Sequence, residues 1–202
     1  MAGILANLRH TVIAGFILTL VVFIGVRMMA GIDLIPDTAW LAFFFRWLHV
    51  LCGVMWIGLL WYFNFVQAPS MPKIPDEQKP AIGKVIAPAA LWWFRWGAMG
   101  TIVTGLILAS LLGYVMGALS LGFLDGGAST AIGLGMWMGI IMWFNVWFII
   151  WPNQKKALGM VPAEADEKAA AAKTAGQFSR VNTLLSIPML FCMVAHQNGG
   201  FF

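Results

Sequence analysis

The sequence predicts an all-α integral membrane protein, a helical bundle of five transmembrane helices. Of its 202 residues, 61% are hydrophobic and only 10% are charged, whereas soluble domains carry about 25% charged residues. Five stretches are also mainly apolar over about 20 residues each, the length that a helix needs to cross a bilayer. One water-soluble core cannot bury so much apolar surface, so we expect a single transmembrane domain over residues 1–202.

The apolar stretches predict where the helices begin and end. The first lacks a small-x-small cleavage site, so we interpret it as a membrane helix and not as a signal peptide. The loop 67–84 contains four prolines, which excludes a membrane helix there. In the loop 152–177, the segment EADEKAAAAK predicts a short surface helix, because Ala, Glu and Lys are strong helix formers. The predicted membrane helices cover residues 11–30, 40–66, 89–116, 131–151 and 178–196.

Basic residues are distributed unevenly between the two sides of this topology. Ten lysines and arginines fall on the side of the N-terminus, and only Arg27 and Arg46 fall on the other side. The positive-inside rule then predicts a bacterial inner-membrane protein with a cytoplasmic N-terminus and a periplasmic C-terminus. The net charge of +4 is explained by these loops. No basic patch interleaves with aromatic residues, so we expect a lipid bilayer as partner and no nucleic acid.

Two histidines are predicted at similar depth near the outer side. His49 lies about two turns into the second helix, and His196 ends the fifth helix, which crosses the membrane in the opposite direction. Ionisable groups inside a membrane are costly and are functional candidates by default. Two imidazoles on facing helices can each give one nitrogen to the iron of a b-type haem. We therefore predict haem b as cofactor in a four-helix haem-type bundle, with His49 and His196 as axial ligands and an extra N-terminal helix.

The neighbours of His49 on its helix fit this hypothesis. At 100° per residue, Arg46, Cys52, Gly53 and Trp56 share a face with His49. Arg46 is suited to a haem propionate, Gly53 leaves room for the porphyrin, and Trp56 is expected to pack against its edge. The alternative is that both histidines only hydrogen-bond neighbouring helices or headgroups. The chain contains no CxxCH motif, which excludes a covalently attached c-type haem.

The two cysteines admit three interpretations that the sequence leaves open. Cys52 follows His49 by three residues and Cys192 precedes His196 by four. They can be small buried hydrophobes, the two halves of a disulfide, or ligands of a tetrahedral metal together with the histidines.

A row of small residues recurs every four positions in the third helix, and glycines continue it in the fourth. Such rows let helices approach closely in lipid, although glycine also leaves room for a flat cofactor. We expect tight helix packing as the main role. The row consists of Gly97, Thr101, Gly105, Ala109, Gly113, Gly117, Gly135 and Gly139.

Four segments resemble the membrane domain of the bacterial membrane-bound urate oxidase family. They are RWLHVLCGVMWIG (46–58), WFRWGAMGTIVTGLIL (93–108), MWFNVWFIIWPNQKKAL (142–158) and SRVNTLLSIPMLFCMVAHQ (179–197). The resemblance covers about residues 40–202 and implies that His49 and His196 stand at histidine positions of the family.

In that family the membrane domain is joined to a cytochrome c domain, which implies electron transfer out of the membrane part. This chain has an additional first helix and no cytochrome c segment. We expect a separate cytochrome c, or a larger respiratory or photosynthetic complex, to take that place, and a homo-oligomer is a further candidate assembly.

We therefore predict a membrane haem protein that transfers electrons near the outer face, as the membrane part of an oxidoreductase. The rival hypothesis is a cofactor-free auxiliary or assembly subunit of a membrane complex.

Overall fold

The computed structural model describes residues 2–32 and 35–198 and is all-helical, with no strand in these ranges. Five of its helices are long and apolar enough to cross a membrane, which confirms the predicted fold class and makes the protein a multi-pass membrane protein. Short helices also occur at Ala2–Leu5 and Val115–Leu119. The five long helices are α1 (Leu8–Met29), α2 (Thr38–Lys73), α3 (Lys79–Leu111), α4 (Thr130–Ala157) and α5 (Ala165–Asn198).

The chain divides into two compact units, residues 1–40 and 41–202. The first unit contains α1, which begins after Asn7. The Asn7 side chain accepts a hydrogen bond from the backbone N–H of Arg9 at 2.9 Å, so it satisfies a free donor of the first helical turn. The second unit holds nearly all of α2 together with α3, α4 and α5.

Polar and aromatic contacts between successive helices close the second unit into a four-helix bundle. The Asn145 amide of α4 donates to the Asn182 side chain of α5 at 2.8 Å. The Trp61 indole of α2 donates to the Ser186 hydroxyl of α5 at 3.0 Å. Because buried polar groups in lipid need partners within the protein, these bonds tie α5 to both of its neighbours.

The remaining sides of the bundle are closed by aromatic contacts and by the glycine row. The Trp96 ring of α3 meets the Trp147 ring of α4 at 5.5 Å in an edge-to-face arrangement. A Cβ atom at Gly97 would lie 3.2 Å from the Trp56 backbone nitrogen of α2, so α3 packs here against the backbone of α2. At Gly97, the interpretation of the row as packing is therefore correct.

Helix α2 ends later, and helix α3 begins earlier, than apolar length predicted. The loop 67–84 is helical except around residues 74–78, because Pro69, Pro72 and Pro80 are accommodated in helical turns, whereas Pro75 lies in the break. π-helical segments at Tyr62–Gln67, Ile82–Ile86 and Asn145–Ile150 each end two residues before a proline. Proline lacks a backbone N–H and crowds the preceding helical turn. A π-helical turn changes the hydrogen-bond pattern of the backbone at this place.

The end of the chain also differs from prediction. The segment EADEKAAAAK is not a separate surface helix, because α5 runs without a break over 34 residues from Ala165 to Asn198. At 1.5 Å per residue this is about 51 Å, much longer than the roughly 30 Å hydrocarbon core. The polar segment is thus the protruding part of the fifth membrane helix, since nothing between it and residue 178 breaks the helix.

Helix α3 ends earlier than predicted, at Leu111 and not at residue 116. Gly113 has a φ of +78°, a left-handed conformation that glycine adopts without steric cost. The chain turns there, so that Tyr114 follows the helix instead of belonging to it.

Candidate functional site

A cavity of about 570 Å³ lies within the four-helix unit, lined by residues of α2, α3, α4 and α5. Its volume falls within the range of roughly 300–1,000 Å³ typical of small-molecule and cofactor sites. Its lining reaches the start of α2, the turn after α3, the start of α4 and the end of α5. We call this end of the bundle the cavity end. The apolar part of the lining includes Val50, Ile57, Leu106, Ile140, Met189 and Leu190.

His49 lines this cavity from α2, and α3 determines the orientation of its ring. Its Nδ1 lies 2.9 Å from the carbonyl oxygen of Thr101, which assigns the proton to Nδ1 because a carbonyl can only accept. The Thr104 hydroxyl lies 3.5 Å from the same nitrogen. Within the described residues Nε2 has no hydrogen-bond partner, so it is available to a ligand.

Gly105 of α3 allows this position of the imidazole. A Cβ atom there would lie 2.8 Å from His49 Cε1 and 3.0 Å from Nδ1. The first contact is closer than real Cβ atoms show, so a Cβ atom at Gly105 would require the histidine ring to move. The row thus serves both of the roles considered from the sequence, packing at Gly97 and room for a functional side chain at Gly105.

Two further side chains of the predicted α2 face line the cavity and have polar atoms without partners. Trp56 is fully buried, and its indole Nε1–H has no hydrogen-bond partner within the described residues. The Nε of Arg46 is also buried and without a partner there. Buried polar atoms are almost always paired in native proteins, so both donors are exceptions. Three other such atoms, in Gln67, Trp143 and Trp147, belong to residues outside the cavity lining.

Glycines leave open space along the same cavity. A Cβ atom at Gly53 or Gly139 would meet nothing within 4 Å, and both residues line the cavity. The space that the sequence analysis expected beside Gly53 is therefore present.

His196 is placed differently from His49. It does not belong to the cavity lining, although Val194 and Gln197 of the same helix do. Its ring lies against the Tyr114 ring, with centroids 5.2 Å apart and planes at 66°. Tyr114 itself lines the cavity, so it stands beside both the cavity and His196. The structure brings Arg46, His49, Gly53 and Trp56 to one cavity and puts His196 behind its wall.

Both cysteines are free thiols, and each packs against a different helix. The Cys52 sulfur faces Gly100 of α3, while a Cβ atom at Gly135 of α4 would lie 3.1 Å from the Cys192 Cβ. The structure thus contains no disulfide between them. No group of three or more His, Cys, Asp or Glu side chains suited to a metal ion occurs in the ranges that the structure describes.

Sequence reasoning missed Tyr114 and Gln197 as cavity residues. The helix predicted over 89–116 placed Tyr114 within a transmembrane segment, where nothing distinguishes it from belt aromatics. The signal that was available is Gly113, a residue that often ends helices with a left-handed turn.

Helices and cavity together define the class: a multi-pass helical membrane protein with a cofactor-sized cavity that one histidine and one arginine enter from α2. Comparison with family models gives the particular relationship. Residues 123–201 match the family described as Urate oxidase N-terminal, so the chain is similar to that family over α4 and α5. The resemblance predicted from the sequence is confirmed for this segment. The matched segment includes His196 and lies outside α2, which carries His49. Comparison with curated proteins gave no match, and neither did comparison with solved structures.

Proposed function

We propose that this protein binds a b-type haem in the cavity and transfers electrons at the cavity end. The observation that carries the proposal is the Nδ1–H of His49 donating to the Thr101 carbonyl at 2.9 Å. Metal-ligating histidines almost always donate their other ring N–H to such a partner, which fixes the tautomer and raises the basicity of the ligand nitrogen. His49 therefore presents a neutral, oriented Nε2 for iron.

The other residues of the cavity fit a haem in size and in chemistry. The volume of about 570 Å³ is suited to a large flat cofactor, and Gly53 leaves α2 open beside it. Arg46, one turn from His49, offers a guanidinium to a propionate, a charge-assisted contact stronger than a neutral hydrogen bond. Trp56 contributes a wide apolar surface to the wall.

A bound haem supplies one-electron redox chemistry, and this chain tunes it. His49 would provide the ligand nitrogen, and Thr101 holds its ring. The aliphatic and methionine side chains of the wall exclude water, and exclusion of water together with ligand identity is what sets a haem potential. The predicted second ligand is His196. It would have to leave its contact with Tyr114 to enter the cavity. The spin state of the iron distinguishes one protein ligand from two.

Electron transfer is supported by the family relationship. The matched family is described as an oxidase domain, and oxidases remove electrons from a substrate. We propose that electrons leave at the cavity end to a separate cytochrome c or to a larger respiratory or photosynthetic complex. The distribution of basic residues supports a periplasmic position for this end, by the positive-inside rule. Mixing the reduced protein with a soluble cytochrome c in a stopped-flow spectrometer tests this partner: reduction of the cytochrome supports it, and no reduction in seconds excludes it.

A reduced-minus-oxidised optical spectrum of protein purified from haem-replete cells tests the cofactor. We expect the absorption bands of a b-type haem, together with extraction of a non-covalent haem by acidic organic solvent. Full-length, monodisperse protein without any haem band would end the proposal and favour the cofactor-free auxiliary subunit.

A further inference from the structure

The cavity end holds a positive charge that no described residue neutralises. Arg46 is half-buried, its Nε is buried and without a partner, and it lines the cavity. No carboxylate among the described residues forms an ion pair with it. An unpaired charge in a membrane protein is costly, and a carboxylate of a bound molecule would offset that cost.

Tyr114 stands beside Arg46 at the same end of the cavity. The turn at Gly113 brings it there, immediately after α3. Burial raises the pKa of the Tyr114 hydroxyl, and the positive charge of Arg46 opposes this rise, so the two groups interact electrostatically across the cavity end. Because the hydroxyl keeps its proton at neutral pH, it is a hydrogen-bond donor, and it belongs to the same cavity lining as the guanidinium of Arg46.

His196 limits the positions that the Tyr114 ring can adopt. The two rings meet edge to face, with centroids 5.2 Å apart, inside the 4.5–7 Å range of favourable aromatic pairs. Tyr114 lies in a short turn between Leu111 and Val115 and not in a helix. The contact with His196, in the last turn of α5, therefore restrains the Tyr114 side chain more than its own backbone segment does.

We propose that Arg46 and Tyr114 together bind a carboxylate of the ligand, and that His196 is a positioning residue that holds Tyr114 for this contact. The inference rests on the proposed function, since haem carries two propionate carboxylates. It changes the role of His196 from iron ligand to support for the acid-binding end. It also names the ligand class by chemistry: a flat apolar body that ends in carboxylates.

The experiment compares haemin with haemin dimethyl ester, which has the same ring but no carboxylates, by optical titration of haem-free protein. We expect the wild type to bind haemin more tightly. Tyr114→Phe should weaken haemin binding about tenfold, as expected for one hydrogen bond to a charged group, and leave binding of the ester unchanged. Tyr62→Phe is the matched control, because Tyr62 is the other tyrosine of the chain and does not line the cavity.

Two replacements of His196 test the positioning role. His196→Ala should weaken haemin binding to the same extent as Tyr114→Phe, whereas His196→Phe, which keeps an aromatic ring against Tyr114, should restore it. Neither should change the iron spin state. A shift from low-spin to high-spin iron in both variants would overturn the inference and make His196 a ligand.

The remaining outcomes separate the inference from the proposed function. Equal affinity of the wild type for haemin and its ester overturns the inference but leaves a haem site intact. Failure of the wild type to bind either compound ends both. Size-exclusion profiles identify variants that fail to fold. If His196→Ala does not fold, the conservative variants Tyr114→Phe and His196→Phe still decide the test.

Discussion

The His49 Nδ1 of α2 and the Thr101 carbonyl oxygen of α3 lie 2.9 Å apart. This bond joins two helices and uses a carbonyl in the middle of α3. The Thr101 hydroxyl in turn donates to the carbonyl of Gly97 at 2.8 Å, which adds a second contact to the same helical turn. The proposed ligand nitrogen is thus oriented by a regular helix and not by a loop, which is the more precise support for a functional group.

Gly105→Ala is expected to abolish haem binding without unfolding the protein. The new methyl group would lie 2.8 Å from His49 Cε1 and would push the ring away from the Thr101 carbonyl. The haem-to-protein ratio measures the effect. Gly176→Ala in α5 is the matched control, because a Cβ atom there meets nothing within 4 Å. A normal haem content in Gly105→Ala would contradict this account of how His49 is held.

Gly53→Leu should separate stability from function. The position faces open space, so the larger side chain fills the cavity and removes a flexible glycine from a helix, which is worth roughly 0.5–1 kcal/mol for Gly→Ala. We expect a thermal midpoint at or above that of the wild type and at least a tenfold loss of haemin affinity. If haemin affinity is unchanged, the molecule binds elsewhere.

Replacing Asn182 with alanine should destabilise the bundle. Its fully buried side chain donates to the Met142 carbonyl at 2.9 Å and accepts from Asn145. Interhelical hydrogen bonds in membranes are worth about 1–2 kcal/mol, so the free energy of unfolding in mixed micelles should fall by that amount. Gln177→Ala, at an exposed position of the same helix, should have little effect.

A double variant checks that the two asparagines act together. Asn145→Ala combined with Asn182→Ala should cost less than the sum of the single changes, because both remove one shared bond. If the changes in the free energy of unfolding were strictly additive, the two asparagines would stabilise the bundle independently of each other.

The turn before α4 should respond to acid through Asp125. The Ser129 hydroxyl, the largest influence, hydrogen-bonds its carboxylate and lowers the pKa of Asp125. A carboxyl with a lowered pKa in the folded protein contributes stability above its ordinary pKa of about 3.9, and this contribution is lost as the pH falls through the lowered value. Ser129→Ala should raise the pKa of Asp125, measured by carboxyl NMR, and leave that of Asp76 unchanged. An unchanged pKa of Asp125 in Ser129→Ala would show that the Ser129 hydroxyl does not lower it.

Much of the fold could be predicted because length and apolarity alone define a membrane helix. The limits of the helices could not, because proline was treated as a helix end. Pro69, Pro88 and Pro152 each follow a π-helical segment instead, and apolar composition gives no sign of such a segment. Likewise, Gly176 alone does not end the helix between residues 165 and 178, so α5 continues through a segment that was interpreted as a separate helix.

The candidate site was predictable on α2 and not elsewhere. Arg46, His49, Cys52, Gly53 and Trp56 share one face by helical geometry alone, and all of them except Cys52 line the cavity. The residues that α5 contributes to the cavity depend on the rotation of this helix about its own axis. Helical geometry also puts Asn182, Met189, Cys192 and His196 near one face of α5. The first three are buried, but only Met189 of the four lines the cavity. His196 was matched to His49 in depth, while the contact with Tyr114 depends on the turn at Gly113.

Titration of haemin into haem-free wild type and His49→Ala tests whether His49 binds the haem iron, with His10→Ala as the control for loss of a histidine outside the cavity. We predict saturable, one-to-one binding, with the optical spectrum of a ligated iron, for the wild type and for His10→Ala. His49→Ala should lose that spectrum. The same spectrum in folded His49→Ala and in the wild type would contradict this prediction, because the iron would then be held by another residue.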